Sequence, residues 1–277
     1  MLLGNSTELV EAVETNNRFV IYFSNNLYNR SHTLMYRETQ TWFSPAIGHD
    51  MTVNIYGHYG KPLLVFPCSG GTNHEFEDFG MLETIKDQIE AGKVKVFCVD
   101  SLDNESWLKT DGHMGDNVYR HEAYDKYIVN EVVPFIREHC KSDCRIALTG
   151  NSMGGYHTVN FILRHPDCFD ACIALAGVYD ARRLVGDYWD QNVYFNSPVD
   201  YLPNLNDEWF LERLRDTKII ICTGQGPWEC PDDSKRMAEI FAAKNIPAWV
   251  DLWGYDVNHD WPWWKIMLPH FLPYILD

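Results

Sequence analysis

From residue 62 onward the chain alternates unbroken apolar runs with stretches whose apolar positions recur every three or four residues. The apolar runs are PLLVFP at 62–67, KVKVFCVD at 93–100, CRIALTG at 144–150, FDACIALAG at 169–177, KIIICTG at 218–224 and AWVDLW at 248–253. Helical patterns lie between them near 75–91, over about 120–139, from Ser152 to about Arg164 and near 232–244, and a helix-like tail follows Trp263. In the 120–139 stretch, Tyr124, Ile128, Val132, Phe135 and Ile136 mark one face of a helix. Strands that are apolar throughout and separated by helices predict a mostly parallel central sheet with helices on both faces, an α/β fold. Three earlier runs, RFVIYF, HTLMYRETQTWF and MTVNIYG, predict an antiparallel edge.

No linker, repeat or low-complexity run interrupts the pattern, so a single domain over 1–277 is expected. One long irregular segment, about 179–215, is rich in Asp, Asn, Tyr and Trp. Long insertions in compact domains commonly form lids or binding loops, which predicts an insert near an active site.

Charge narrows the partners. With 39 acidic against 23 basic residues the formal net charge is -16, a surface that repels phosphate backbones and anionic membranes. No nucleic-acid or membrane partner is expected. The opening MLLGNSTELVEAVETNN has neither a basic n-region nor an apolar h-region, and no run approaches a membrane span, so a cytoplasmic protein is expected.

Of the eight cysteines, Cys68, Cys98, Cys172 and Cys222 sit in or at the ends of apolar β-like runs, where a reduced thiol behaves as a small hydrophobe. Cys140 and Cys144 lack the second pair that a zinc site requires. No phosphate loop, metal cluster or dinucleotide fingerprint is present, so no cofactor and no metal are expected. The expected partner is a small molecule, and the sequence is compatible with a homo-oligomer.

The candidate chemistry sits in ALTGNSMGGYH, where Gly150, Ser152 and Gly154 fit GxSxG. Composition alone yields that pattern in about one chain in ten of this size. Its setting is more telling: a strand runs into Gly150 and a helix opens at Ser152, the arrangement of a nucleophile elbow. The alternative is a serine acting only as a helix N-cap.

A nucleophilic serine needs a base and an acid, which follow it in the chain order Ser, acid, His. His259, in the polar loop GYDVNHDW after the last strand, is the expected base. His157 and His165 fall on the helix after the serine and His270 in the tail, where structural roles are expected. The acid is expected in TGQGPWECPDD. Glu229 ranks first there, with Asp232 and Asp233 competing from positions that suit first-turn helix partners. Oxyanion donors are expected from the Met153 amide and from the loop PCSGG, at Gly70 and next at Ser69. Trp228, Trp189, Tyr188 and Asn151 are expected to contact substrate. Trp107 and Asp100, in other strand-end loops, could also face the site.

Together LLVFPCSGG, TGNSMGGYH, TGQGPWE and GYDVNHDWPWW resemble the esterase branch of the α/β-hydrolase superfamily. That branch includes esterase D-type S-formylglutathione hydrolases, feruloyl and acetylxylan esterases, enterochelin esterases and the mycolyltransferases. The resemblance runs from about residue 33 nearly to the end. It implies Ser152 as nucleophile, His259 as base and an acid in the Glu229 loop, a glutamate there being similar to the mycolyltransferase arrangement. Cys68 and Ser69 stand where many relatives carry His-Gly or Asp-Gly. The implied activity is serine carboxylic-ester hydrolysis of a small acyl or sugar ester through an acyl-enzyme. Acyl transfer or thioester hydrolysis with the same triad, and a non-catalytic hydrolase-like binding module, are the alternatives.

Overall fold

The computed structural model describes residues 35–276 in full and residues 9–15 and 18–23 as backbone strands. Where the sequence predicts one span over 1–277, contacts divide the chain into two units, residues 1–34 and 35–277. In the first, β1 (Leu9–Thr15) and β2 (Arg18–Phe23) pair antiparallel. RFVIYF is therefore not part of the expected three-strand edge. Its partner is the segment only two residues upstream, because short separations favour hairpins.

The second unit carries an eight-stranded sheet. Its strands are β3 (Arg37–Ser44), β4 (His49–Tyr56), β5 (Lys61–Phe66), β6 (Val94–Val99), β7 (Ile146–Asn151), β8 (Phe169–Leu175), β9 (Lys218–Thr223) and β10 (Ala248–Leu252). Their order is β10-β9-β8-β7-β5-β6-β4-β3. β4 runs antiparallel to both β3 and β6, and the pairings from β6 to β10 are parallel. The expected antiparallel edge thus consists of β3 and β4; residues 32–34 of its first run lie outside the described residues.

Alternation along the strands builds two cores. Leu64 and Phe66 face one side with Phe97, Leu148 and Phe161, whereas Leu63 and Val65 face the other with Val96, Ala147, Ile173 and Phe271. Each core needs its own helical cover. The helix Met153–Arg164 covers the first, buried from Met153 to Leu163, and the closing helix Trp261–Leu276 covers the second.

Two helical expectations change in form. The 75–91 stretch is three short helices, Glu75–Asp78, Met81–Thr84 and Lys86–Glu90, and Gly80 separates the first two at a φ of 70°. The amphipathic run is a helix from Met114 to Tyr127 continued by Val133–Cys140, with a widened π turn at Ile128–Val132 between them. Pro134, just past that turn, lacks the N–H a regular helix needs and crowds the preceding turn.

The 179–215 insert folds as short helices, including Gln191–Phe195 and Glu208–Arg215. All eight cysteines are free thiols. Among the described residues, no helix is long and apolar enough to cross a membrane.

Candidate active site

Parallel strands bring their carboxyl ends to one edge, where loops can converge. β7 ends at Asn151, and Ser152 stands between it and the helix that begins at Met153. Its backbone takes φ 56° and ψ -119°, a strained conformation for a residue with a Cβ. The two flanking glycines make that turn feasible. A Cβ on Gly150 would lie 2.5 Å from the Gly154 carbonyl, and one on Gly154 would collide with the carbonyl oxygens of Phe66 and Pro67. The glycines are therefore the steric condition for the elbow.

His259 reaches the same edge from the loop after β10. Its Nε2 lies 2.9 Å from Ser152 Oγ and its Nδ1 lies 3.3 Å from Glu229 Oε2. The Glu229 side chain is fully buried, and its Oε2 also accepts the Thr223 hydroxyl at 2.9 Å. Trp264 packs edge-on against the imidazole, with centroids 4.9 Å apart and planes at 90°, which fixes the ring's orientation.

The competing acids are engaged elsewhere. Asp232 is exposed and pairs with Lys235 at 2.9 Å. Asp233 accepts the Tyr179 amide and binds Arg183 at 2.8 Å, tying the start of the insert to the helix Pro231–Ala243.

The loop after β5 is clamped by two carboxylates. Glu75 Oε2 accepts the Cys68 amide at 2.6 Å, and Asp103 Oδ2 receives the Gly70 amide at 3.4 Å. The Gly71 amide turns back to the Cys68 carbonyl at 2.9 Å. Among the described residues the amides of Ser69 and Met153 have no acceptor. Gly70, the first-ranked donor, thus directs its N–H at Asp103. Burial pushes the Glu75 carboxyl above its ordinary range, as does the nearby Asp103 charge, while the Cys68 amide opposes this. Burial also pushes the Cys68 thiol far up, so it stays protonated.

The expected substrate contacts divide. Trp228 is 88% exposed beside the acid, on a backbone with φ 69°. Trp189 is exposed under the Arg182 guanidinium, 4.0 Å from its ring centroid, and the Tyr188 hydroxyl donates to Asp190. Asn151 is fully buried, and its amide has no hydrogen-bond partner among the described residues. Trp107 is buried against His121 and Tyr156. Asp100 accepts the Thr52 and Asn73 amides, a loop-fixing role.

Sequence reasoning missed four contributors, Thr223, Trp264, Glu75 and Asp103; His157, expected in a structural role, is the buried partner of Asp103. Thr223 had a weak signal as the last strand residue before the glycine loop. The other three come together only through tertiary packing.

The family described as "Putative esterase" matches residues 44–275. No curated protein sequence matches the chain. A ferulic acid esterase superposes with a TM-score of 0.69 at 18% identity, covering 87% of this chain and 97% of its own. An S-formylglutathione hydrolase from Staphylococcus aureus superposes at 0.63 and 17% identity, with 88% and 97% coverage. Another from Agrobacterium tumefaciens superposes at 0.67 and 14% identity, with 87% and 95% coverage. At these identities the structural likeness carries the fold, and the family match carries the membership. The chain belongs to the "Putative esterase" family and is a serine carboxylic-ester hydrolase on the α/β-hydrolase fold.

Proposed function

We propose that Ser152, His259 and Glu229 act as a Ser-His-Glu triad that hydrolyses a small acyl or sugar ester through an acyl-enzyme. The observation that carries this reading is His259 placed between Ser152 Oγ at 2.9 Å and Glu229 Oε2 at 3.3 Å. Nucleophile, base and orienting acid are then in line, as activation of a serine hydroxyl requires.

Ser152 Oγ attacks the ester carbonyl carbon as its proton passes to His259 Nε2. The tetrahedral intermediate collapses, its C–O bond breaks, and His259 protonates the departing alcohol. A water then attacks the acyl-enzyme and gives its proton to His259; release of the carboxylic acid returns the proton to Ser152. Glu229 holds the imidazole in register and offsets its charge while it is protonated. The oxyanion is held by the amides of Met153 and Ser69, neither of which has a protein acceptor among the described residues. A donor of this kind contributes roughly 3 to 4 kcal/mol to the transition state.

Trp228, exposed beside the acid, offers a flat face to an aromatic acyl group or a sugar ring. The likeness to ferulic acid esterases and S-formylglutathione hydrolases supports testing aromatic-acyl esters and thioesters first.

The test is steady-state hydrolysis of p-nitrophenyl acetate with fluorophosphonate labelling of Ser152→Ala. Loss of both turnover and label in a folded variant is expected; retained turnover overturns the nucleophile. A wild-type protein that never labels would instead favour a binding module. Acyl transfer would appear as ester product when an alcohol is added as acceptor.

A further inference from the structure

Ser152 sits at the carboxyl edge of the sheet. At the opposite edge, where β5 and β6 begin, lies a cavity of about 860 Å3. Its volume is that of a small-molecule site. Lys61, Lys93, Lys95 and Lys141 line it, four of the chain's eleven lysines, together with His58 and Tyr59. No aspartate or glutamate lines it, although acidic residues outnumber basic ones 39 to 23 across the chain.

The lysines differ in their pairing. Lys61 is neutralised by Asp170 at 2.6 Å and also donates to the Arg145 carbonyl. His139, also on the wall, faces Glu38 at 3.2 Å. Lys93, Lys95 and Lys141 have neither a carboxylate nor a hydrogen-bond acceptor among the described residues. Lys95 is only 6% exposed, and its ammonium lies 5.9 Å from the Phe97 ring centroid. The Lys95 stem is buried while its ammonium reaches the cavity, where no protein carboxylate offsets its charge.

We propose that this cavity is a binding site for a compact anion bearing two or more phosphoryl oxygens' worth of charge, a pyrophosphate group, held by Lys93, Lys95 and Lys141. Lysine serves such groups as a point charge. The net charge of -16 opposes an extended polyanion and leaves a compact one, whose charge stays inside the cationic wall. Tyr59 is 74% exposed beside it and offers an aromatic face to a nucleoside carrying that pyrophosphate. The site stands apart from ester hydrolysis, and its variants leave p-nitrophenyl acetate turnover unchanged.

The test is isothermal titration of the full chain with inorganic pyrophosphate and with ADP, at low and at physiological salt. Saturable binding of pyrophosphate is expected, weakened at least tenfold by Lys93→Glu and by Lys141→Glu, both exposed positions that folding tolerates. Lys95→Met tests the third ammonium directly, and the two surface variants keep the test decisive if it misfolds. Lys126→Glu, outside the cavity, leaves affinity within twofold. Tighter binding of ADP that Tyr59→Ala abolishes identifies the nucleotide as the source of the pyrophosphate; equal affinities identify the inorganic ion. Absence of pyrophosphate binding, or an equal loss in the Lys126 variant, overturns the proposal.

Discussion

The Thr223 hydroxyl donates at 2.9 Å to Glu229 Oε2, the same oxygen that faces His259 Nδ1 at 3.3 Å. The carboxylate is sealed from water, and its Oε1 has no partner among the described residues. In the proposed triad, Thr223 is therefore the group that aims the Glu229 carboxylate at the imidazole. Thr223→Val is expected to lower kcat about tenfold with KM within about twofold, and Thr223→Ser to restore it. Glu229→Gln is expected to lower kcat by about 10^3 to 10^4, the range seen when a triad acid becomes an amide elsewhere. Steady-state hydrolysis of p-nitrophenyl acetate measures both.

His157, five residues past Ser152, meets Asp103 Oδ1 at 2.9 Å with both side chains sealed inside the protein. The other Asp103 oxygen receives the Gly70 amide, so one buried pair joins the nucleophile helix to the loop after β5. Removing the Asp103 carboxylate leaves the facing His157 nitrogen and the Gly70 amide buried without a partner, and Asp103→Ala is expected to lower the unfolding free energy by roughly 1 to 3 kcal/mol. Urea denaturation measures it. A change below about 1 kcal/mol would remove the pair from the framework of this loop.

Gly154 has no room for a methyl group against the Phe66 and Pro67 carbonyls. Gly154→Ala must shift the backbone that carries Ser152. Displacement of about 1 Å at a reacting centre costs roughly a hundredfold in rate, so kcat/KM is expected to fall at least that far. Far-ultraviolet circular dichroism at 20 °C, compared with fluorophosphonate labelling rate, separates a displaced nucleophile from an unfolded chain.

His121 is buried among Trp107, His157 and Tyr156. Burial pushes its pKa well below the ordinary histidine value, aided by His157 and Arg164 and opposed by Asp125 and the Asn196 hydrogen bond. The folded chain then refuses a proton that the unfolded chain accepts. The stability from neutral His121 is complete above about pH 6.5 and is lost as pH falls below it, with a limiting slope of roughly 1 to 2 kcal/mol per pH unit. Urea unfolding from pH 7.5 to 5 is expected to show that slope, and His121→Gln to flatten it.

The strands of the main sheet were legible because β5 to β9 are buried on both faces and read as continuous apolar runs. The helix at 75–91 was legible as a region but not in form, since Gly80 at positive φ breaks a pattern that periodicity alone reads as continuous. The partner of RFVIYF was missed because Leu9–Thr15 carries glutamates that mask its β character.

At the site, chain order and loop position sufficed to group Ser152, Glu229 and His259, whose side chains lie within 2.9 and 3.3 Å of one another in series. The choice of Gly70 rested on its freedom from side-chain bulk. Which amide in PCSGG is left unengaged depends on Glu75 and Asp103, and Asp103 reaches the loop from 33 residues away. No local pattern encodes that distance.

Residues 228 and 229 stand side by side with opposite exposures: the acid is sealed inside and the tryptophan projects almost entirely into solvent. Such a junction decouples chemistry from selectivity. In the proposed site, the exposed face at Trp228 is open to exchange among large and small side chains while the neighbouring carboxylate stays fixed by Thr223. A lineage with this loop could change its ester without rebuilding its triad, and saturation of position 228 is the natural place to begin re-engineering what the enzyme accepts.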